Sequence, residues 1–151
     1  MRPFDYYIFI DFSENYIGYS LIESKKISLV LPLIRKFKHY RDSKFKKLYI
    51  KNINKTVKKD KIKDYFYKIK IREIKSTPEI YADLAEFITK HKNIFISVDN
   101  SQYRNFKKFV NIIDGENILV KKESELKRDS IEHKLSLVID NLLNIKRREN
   151  E

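Results

Sequence analysis

The stretch Tyr6-Tyr7-Ile8-Phe9-Ile10-Asp11, then Phe12-Ser13-Glu14-Asn15, then Tyr16-Ile17-Gly18-Tyr19-Ser20-Leu21-Ile22 decides the fold. Its first part is an unbroken run of apolar β-formers closed by an acid. That is the pattern of a central strand buried on both faces. Ser13-Glu14-Asn15 reads as a turn, and residues 16–22 as a second strand in hairpin with the first. Working outward, Lys25-Lys26 suggests another turn and residues 27–34 a third strand, with Pro32 pushing its end toward a sheet edge. Further on, Thr77 can cap a helix with Pro78 in its first turn. Ile80, Leu84, Phe87 and Ile88 then fall on one helical face. Residues 93–99 form a second buried-type strand that again ends in an acid, Asp99. Asn100-Ser101 can cap a helix carrying Tyr103, Phe106, Val110 and Ile113. Residues 114–117 read as a turn and 118–120 as a short strand. Asp129 or Ser130 opens a last helix with Ile131, Leu135, Val138, Ile139 and Leu142 on one stripe. The expectation is an α/β fold, a mixed five-stranded sheet flanked by helices, in one domain over residues 1–151.

Composition narrows the chemistry. At 151 residues there is room for one ordinary core. With no cysteine, disulfides, thiolate metal sites and cysteine nucleophiles are excluded. The only glycines, Gly18 and Gly115, cannot spell a Rossmann fingerprint or a P-loop. No apolar run is long enough for a signal-peptide core or a membrane span, so the cytoplasm is the default location. Ser13, Ser97 and Ser101 lack a neighbouring general base in the sequence reading, which disfavours a serine hydrolase.

The charge is localised. The chain has 33 Lys/Arg and 21 Asp/Glu, yet residues 35–75 alone hold 17 and 4 of these, leaving 16 and 17 elsewhere. One segment thus carries the whole excess, as a surface aimed at a polyanion does. A solvated lysine-rich loop is the competing explanation. Partial alternation at Phe66, Ile69, Ile71 and Ile74 also allows an extra basic hairpin, with Leu48-Tyr49-Ile50 as its other arm. Lys44, Lys46, Lys47, Lys58, Lys59, Lys61 and Lys63, with Arg104, Lys107 and Lys108 further on, are the candidate nucleic-acid contacts.

The acids stand at telling positions. Asp11 and Asp99 each close a buried strand, and Asp129 and Glu132 begin the last helix with His133 beside them. If the two strands are parallel neighbours, Asp11 and Asp99 emerge side by side at the edge where α/β sheets hold ligands. Converging carboxylates call for a hard divalent cation, Mg²⁺ or Mn²⁺. For each acid taken singly, helix capping or solvation is the better account, least so for Asp11, which interrupts an apolar run. His39 and His91 are read as lying away from this site.

The segment from Ile10 through Asp11, Gly18 and Tyr19 to Ile22 resembles the first hairpin of RuvC-like Holliday-junction resolvases, of the ribonuclease H-like superfamily. The helix from Pro78 leading into the strand that ends at Asp99, and the acids Asp129 and Glu132, are similar in order to that family's later elements. The resemblance implies a ribonuclease H-like fold with residues 35–75 as a basic insertion. It implies a metal set of Asp11, Asp99, Asp129 and Glu132, with His133 as a substitute member. It further implies Mg²⁺-dependent cleavage of branched DNA leaving a 5′-phosphate, a homodimer making paired cuts, and a place in DNA recombination and repair. A nucleic-acid-binding module without catalysis, and a ribonuclease acting on RNA–DNA hybrids, are the alternatives. The family's Gly-rich turn after the first acid is here Phe12-Ser13-Glu14, and its usual Glu is Asp99.

Overall fold

The computed structural model describes residues 3–149. The hairpin forms as the sequence suggests: β1 (Tyr6–Ser13) pairs antiparallel with β2 (Tyr16–Glu23). β1 also pairs in parallel with β4 (Ile94–Val98), which pairs in parallel with β5 (Ile118–Lys122). The far edge is β3 (Lys68–Glu73), antiparallel to β2. The sheet therefore has five strands in the order β3-β2-β1-β4-β5. β1 lies at its centre, where its apolar run meets a strand on each side.

Side chains alternate across the sheet, so each strand feeds two cores. Ile8, Ile10, Ile94, Ile96 and Val98 pack with Ile80, Leu84 and Ile88 of α3 (Thr77–Lys90) and with Phe106 and Val110 of α4 (Tyr103–Ile113). Tyr7, Phe9 and Phe95 point to the opposite face. There they meet α1 (Ser24–Val30), α2 (Lys46–Lys59) and α5 (Ile131–Glu149). Residues 135–145 of α5 are buried without interruption, so this helix is enclosed by the sheet on one side and by α2 and the preceding turns on the other.

Two expectations are corrected. Residues 27–34 are not a strand: α1 runs into a 3₁₀ helix over Leu31–Ile34 with Pro32 in its first turn. Ile27, Val30 and Ile34 recur at three and four residues, a helical stripe that buries all three, and Pro32 suits a helix start. Lys25-Lys26 accordingly lies within α1. Leu48-Tyr49-Ile50 is likewise no hairpin arm. It belongs to α2, whose Ile50, Ile53 and Val57 are buried. The second half of the basic segment does supply a strand, β3, and this takes the sheet position expected of residues 27–34.

Gly18 explains how α5 comes close to the sheet. A Cβ there would sit 3.0 Å from Ile71 Cγ1, 3.0 Å from the Lys70 carbonyl oxygen and 3.1 Å from Ile139 Cδ1 of α5. Gly18 also lies directly across from Asp11 in the hairpin register. Gly18→Val must push α5 off the sheet, and overpacking of this kind costs about 1–3 kcal/mol. Thermal melting should show a fall of roughly 3–10 °C for a chain this size. An unchanged melting temperature would mean that α5 is not held at this distance.

Candidate active site

The site follows from strand register. Ile10 lies beside Val98, and Val98 beside Lys122, in two successive parallel pairs. One residue further, Asp11, Asp99 and Glu123 stand in a row: Asp11 lies inside β1, which runs on to Ser13 beyond its pairing with β4, and Asp99 and Glu123 directly follow β4 and β5. All three fall on the sheet face that looks toward α5, because they are two residues beyond Phe9, Ser97 and Lys121. An oxygen from each of the three carboxylates lies within 4.8 Å of the others, the metal-capable cluster among the described residues.

Local bonds hold each acid in place. Asp11 is almost fully buried and accepts a 2.8 Å hydrogen bond from the Phe12 amide. Asp99 caps the 3₁₀ turn Asn100–Gln102, accepting a 3.0 Å bond from the Ser101 amide and another from the Ser101 hydroxyl. Asp99 therefore does serve as the cap considered for it, and it joins the cluster as well. The Ser124 amide donates to Asn100 Oδ1 at 3.1 Å, tying the loop after β5 to the loop after β4. This bond keeps Glu123 beside Asp99.

A fourth acid comes from α5. Asp140 is buried and accepts a 2.9 Å bond from the Tyr40 amide. His39 Nε2 lies 3.5 Å from Asp140 Oδ1 and 3.6 Å from Glu123 Oε1, and its buried Nδ1 has no hydrogen-bond partner. Behind them on α5, Asn144 accepts from the Ser13 hydroxyl at 3.2 Å. Burial pushes the Asp11 carboxyl well above the ordinary carboxylate range, and Glu123, Asp140 and Asp99 push it the same way against the single Phe12 bond. Burial likewise raises Asp140, with Glu123 adding to it and His39 and the Tyr40 amide opposing. The bond to Glu123 raises His39, against burial, which lowers it. The group is thus an excess of negative charge with one imidazole set into it.

Of the acids expected from sequence, the structure brings together Asp11 and Asp99 and leaves out Asp129 and Glu132. Asp129 is exposed in a left-handed conformation (φ 65°), and its amide faces His133 Nδ1 at 3.4 Å. Ser130, not Asp129, caps α5, its hydroxyl accepting from the His133 amide at 3.1 Å. Glu132 precedes Asp140 by more than two helical turns, about 12 Å along the axis. His133 therefore belongs to the cap of α5, and His39, expected away from the site, is the histidine within it. Glu123 was hidden because Lys121 and Lys122 disguise the end of β5. A third run of strand residues closed by an acid was its signal. Asp140 was hidden inside an apolar stripe. Its signal was the polar series Ser136, Asp140 and Asn144 at four-residue spacing along a helix that, apart from Asn141, is apolar between residues 135 and 145.

Cations flank the acids. Asn100, Tyr103, Arg104, Lys107, Lys108 and Lys122 line a cavity of about 350 Å³, with Lys122 Nζ 5.3 Å from the centre of the Tyr103 ring. This cavity begins one residue from Asp99 and one from Glu123. Lys44, Lys47, Lys58, Lys59, Lys61 and Lys63 are exposed on and around α2. Lys46 is folded back, its Nζ bonded to the Ser43 carbonyl at 3.1 Å and lying over the Tyr40 ring. No described helix is long and apolar enough to cross a membrane.

The donor set fits a hard divalent cation. Three carboxylates with facing oxygens, one of them buried and without a cationic partner of its own, match the oxygen-rich ligation of Mg²⁺ or Mn²⁺.

No protein-family model matches the chain, and no curated protein matches it. Among solved structures it is similar to the ribonuclease HII of Archaeoglobus fulgidus, described in a complex with PCNA. The TM-score is 0.56 at 11% identity, covering 95% of this chain and 72% of that one. The fold is therefore ribonuclease H-like, a mixed five-stranded sheet flanked by helices.

Proposed function

We propose that this chain is a metal-dependent endonuclease that cleaves phosphodiesters in structured, branched nucleic acid, with DNA favoured. The observation that carries the reading is the row of Asp11, Asp99 and Glu123 at adjacent strand ends with a cationic cavity beside it. Asp11, Asp99 and Glu123 would hold the ion, with Asp140 behind them. When bound, a divalent ion of this kind supplies water activation and charge stabilisation at the leaving oxygen. The chain's own residues do the rest. The Ser101 hydroxyl orients Asp99. His39 sits between Glu123 and Asp140 and limits their repulsion. Arg104, Lys107, Lys108 and Lys122 hold the phosphate backbone against the acids without reading sequence. The 35–75 segment, part of the same single domain, adds a second basic surface through α2 on the α5 side of the sheet. The family resemblance adds a second copy of the chain for the second cut of a four-way junction.

A second reading, cleavage of an RNA-containing substrate, is favoured by the solved neighbour being a ribonuclease HII. Both are tested by incubating the full chain with Mg²⁺ or Mn²⁺ and labelled four-way DNA, linear DNA duplex and RNA–DNA hybrid. Preferential cutting of the four-way DNA supports the first reading, and preferential cutting of the hybrid supports the second. Tight, salt-sensitive binding without cutting of any of the three would make the chain a binding module alone.

A further inference from the structure

A second cavity, of about 760 Å³, lies between α2 and the turns that lead toward it, on the α5 side of the sheet. Phe37 and Ile53, both buried, form its floor, and Pro32 and Leu33 give it an apolar lip. Tyr49, Asn52, Thr56 and Asp60 line it from α2 and from the residue that closes α2. Their spacing of three and four residues puts them on one stripe of the helix. Tyr49 and Asp60 are eleven residues apart, about 16 Å along the axis, so the cavity is a groove with two ends.

Charge is unequal along this groove. Arg35, Lys36 and Lys38, all exposed, stand on the wall that faces α2, while Asp60 is the acid among the lining residues. Among the described residues no ion pair engages any of these four. The cationic wall is fixed at the Tyr49 end. The Lys38 amide donates to the Tyr49 hydroxyl at 2.8 Å, and that hydroxyl donates to the Lys38 carbonyl oxygen at 3.0 Å. Asn141 Nδ2 donates to the same carbonyl oxygen at 3.0 Å, which ties the wall to α5. Lys38 Nζ lies 5.3 Å from the centre of the Tyr49 ring. Arg35 Nε is bonded to the Pro32 carbonyl oxygen at 3.2 Å, which orients its guanidinium.

The ligand must match this polarity. A nucleic-acid strand laid along the whole groove brings a phosphate against Asp60, which repels it. A single nucleotide avoids that: its phosphate is at one end and its flat, apolar-faced base, edged with hydrogen-bond donors, is at the other. The volume is within the range of small-ligand sites. We propose that this groove binds a nucleoside phosphate, with the phosphate on Arg35, Lys36 and Lys38, the base over Ile53, and the exocyclic amino group of the base on Asp60. A free nucleotide and the end of a strand present the same chemistry here. The site is separate from the row of acids and needs no metal, although Lys38 precedes His39 in the chain.

The test is calorimetric titration of the full chain with nucleotides in EDTA, so that no metal at the acids can hold the phosphate. ATP should bind saturably. Arg35→Ala with Lys36→Ala should weaken ATP at least about tenfold. The wild type should prefer ATP and CTP to UTP, whose base has no exocyclic amino group, and Asp60→Asn should narrow that preference at least about threefold. Melting temperatures equal to that of the wild type verify folding. Competition between ATP and a short 5′-phosphorylated oligonucleotide identifies the source. Stronger binding of the oligonucleotide assigns the groove to a strand end, weaker binding assigns it to a free nucleotide, and either upholds the site. The proposal is overturned if ATP does not bind, or if the double variant binds it as the wild type does. It is also overturned if tripolyphosphate binds as tightly as ATP, or if a hexaglutamate peptide displaces ATP at equal concentration. A wild type that cuts four-way DNA in Mg²⁺ and ignores ATP defeats the groove alone. A wild type that binds ATP in EDTA as described and cuts nothing upholds the groove and defeats the nuclease reading.

Discussion

Asp11→Asn is expected to lower metal-dependent cleavage by at least about 10³-fold while making the metal-free protein more stable. The two effects have one cause. Asp11 is the buried member of the row, in the last part of the central strand, with Asp99 and Glu123 beside it and Asp140 acting on it from α5. At an effective dielectric near 20, a like-charge pair about 5 Å apart costs roughly 3 kcal/mol. Neutralising the central member relieves part of that, so the melting temperature in EDTA should rise by several degrees.

The pH dependence has a definite sign. Burial and its acidic neighbours hold the Asp11 carboxyl above its unfolded value, so the folded state takes up the proton first. The metal-free wild type should gain stability as pH falls through this raised value, and the gain saturates below the ordinary unfolded carboxylate value of about 4. His39 is raised by its bond to Glu123, so its contribution is full below the unfolded imidazole value of about 6.5 and is lost as pH rises through the folded one. Both groups favour the acid side. Melting the wild type and Asp11→Asn in EDTA between pH 5 and 8 should give a clear slope for the first and a shallower one for the second. An Asn variant that is less stable than the wild type, or that cuts as well, would contradict the account.

Glu123→Gln is expected to lower cleavage about 10²- to 10³-fold, whereas Asp129→Asn combined with Glu132→Gln should leave it within about threefold. The contrast separates two ways of completing the site. Glu123 shares the row because Val98 pairs with Lys122, so that Asp99 and Glu123 follow together. Asp129 is exposed beside the α5 cap, and Glu132 lies about 12 Å up the helix from Asp140. Single-turnover rates with Mg²⁺ on the best substrate measure this directly. Equal losses in both variants would place the start of α5 in the chemistry after all.

The legible parts of the fold were those in which one local pattern had one outcome. The run from Tyr6 to Asp11 had to be a central strand because its apolar residues leave no polar face. Ile80, Leu84 and Ile88 could share only a helical stripe. Residues 27–34 were harder, because a short apolar run fits a strand or a buried helix, and only the spacing of Ile27, Val30 and Ile34 distinguishes them. In the basic segment, lysines surround the Ile50, Ile53 and Val57 stripe and mask α2. The candidate site was half visible for a related reason. Asp11 interrupts and Asp99 follows a run of apolar strand residues, so each break is abrupt. Glu123 follows two lysines, Asp140 is embedded among leucines and isoleucines, and His39 enters from a turn whose position depends on α5. Such residues become neighbours only through tertiary packing.

Everything rests on the claim that Asp11, Asp99 and Glu123 bind a divalent cation together. Calorimetric titration of the metal-free full chain with Mn²⁺ tests it most directly. The account predicts saturable binding that Glu123→Gln weakens at least about tenfold and that Asp129→Asn leaves unchanged. Absence of binding by the wild type, or binding indifferent to Glu123→Gln, would contradict it.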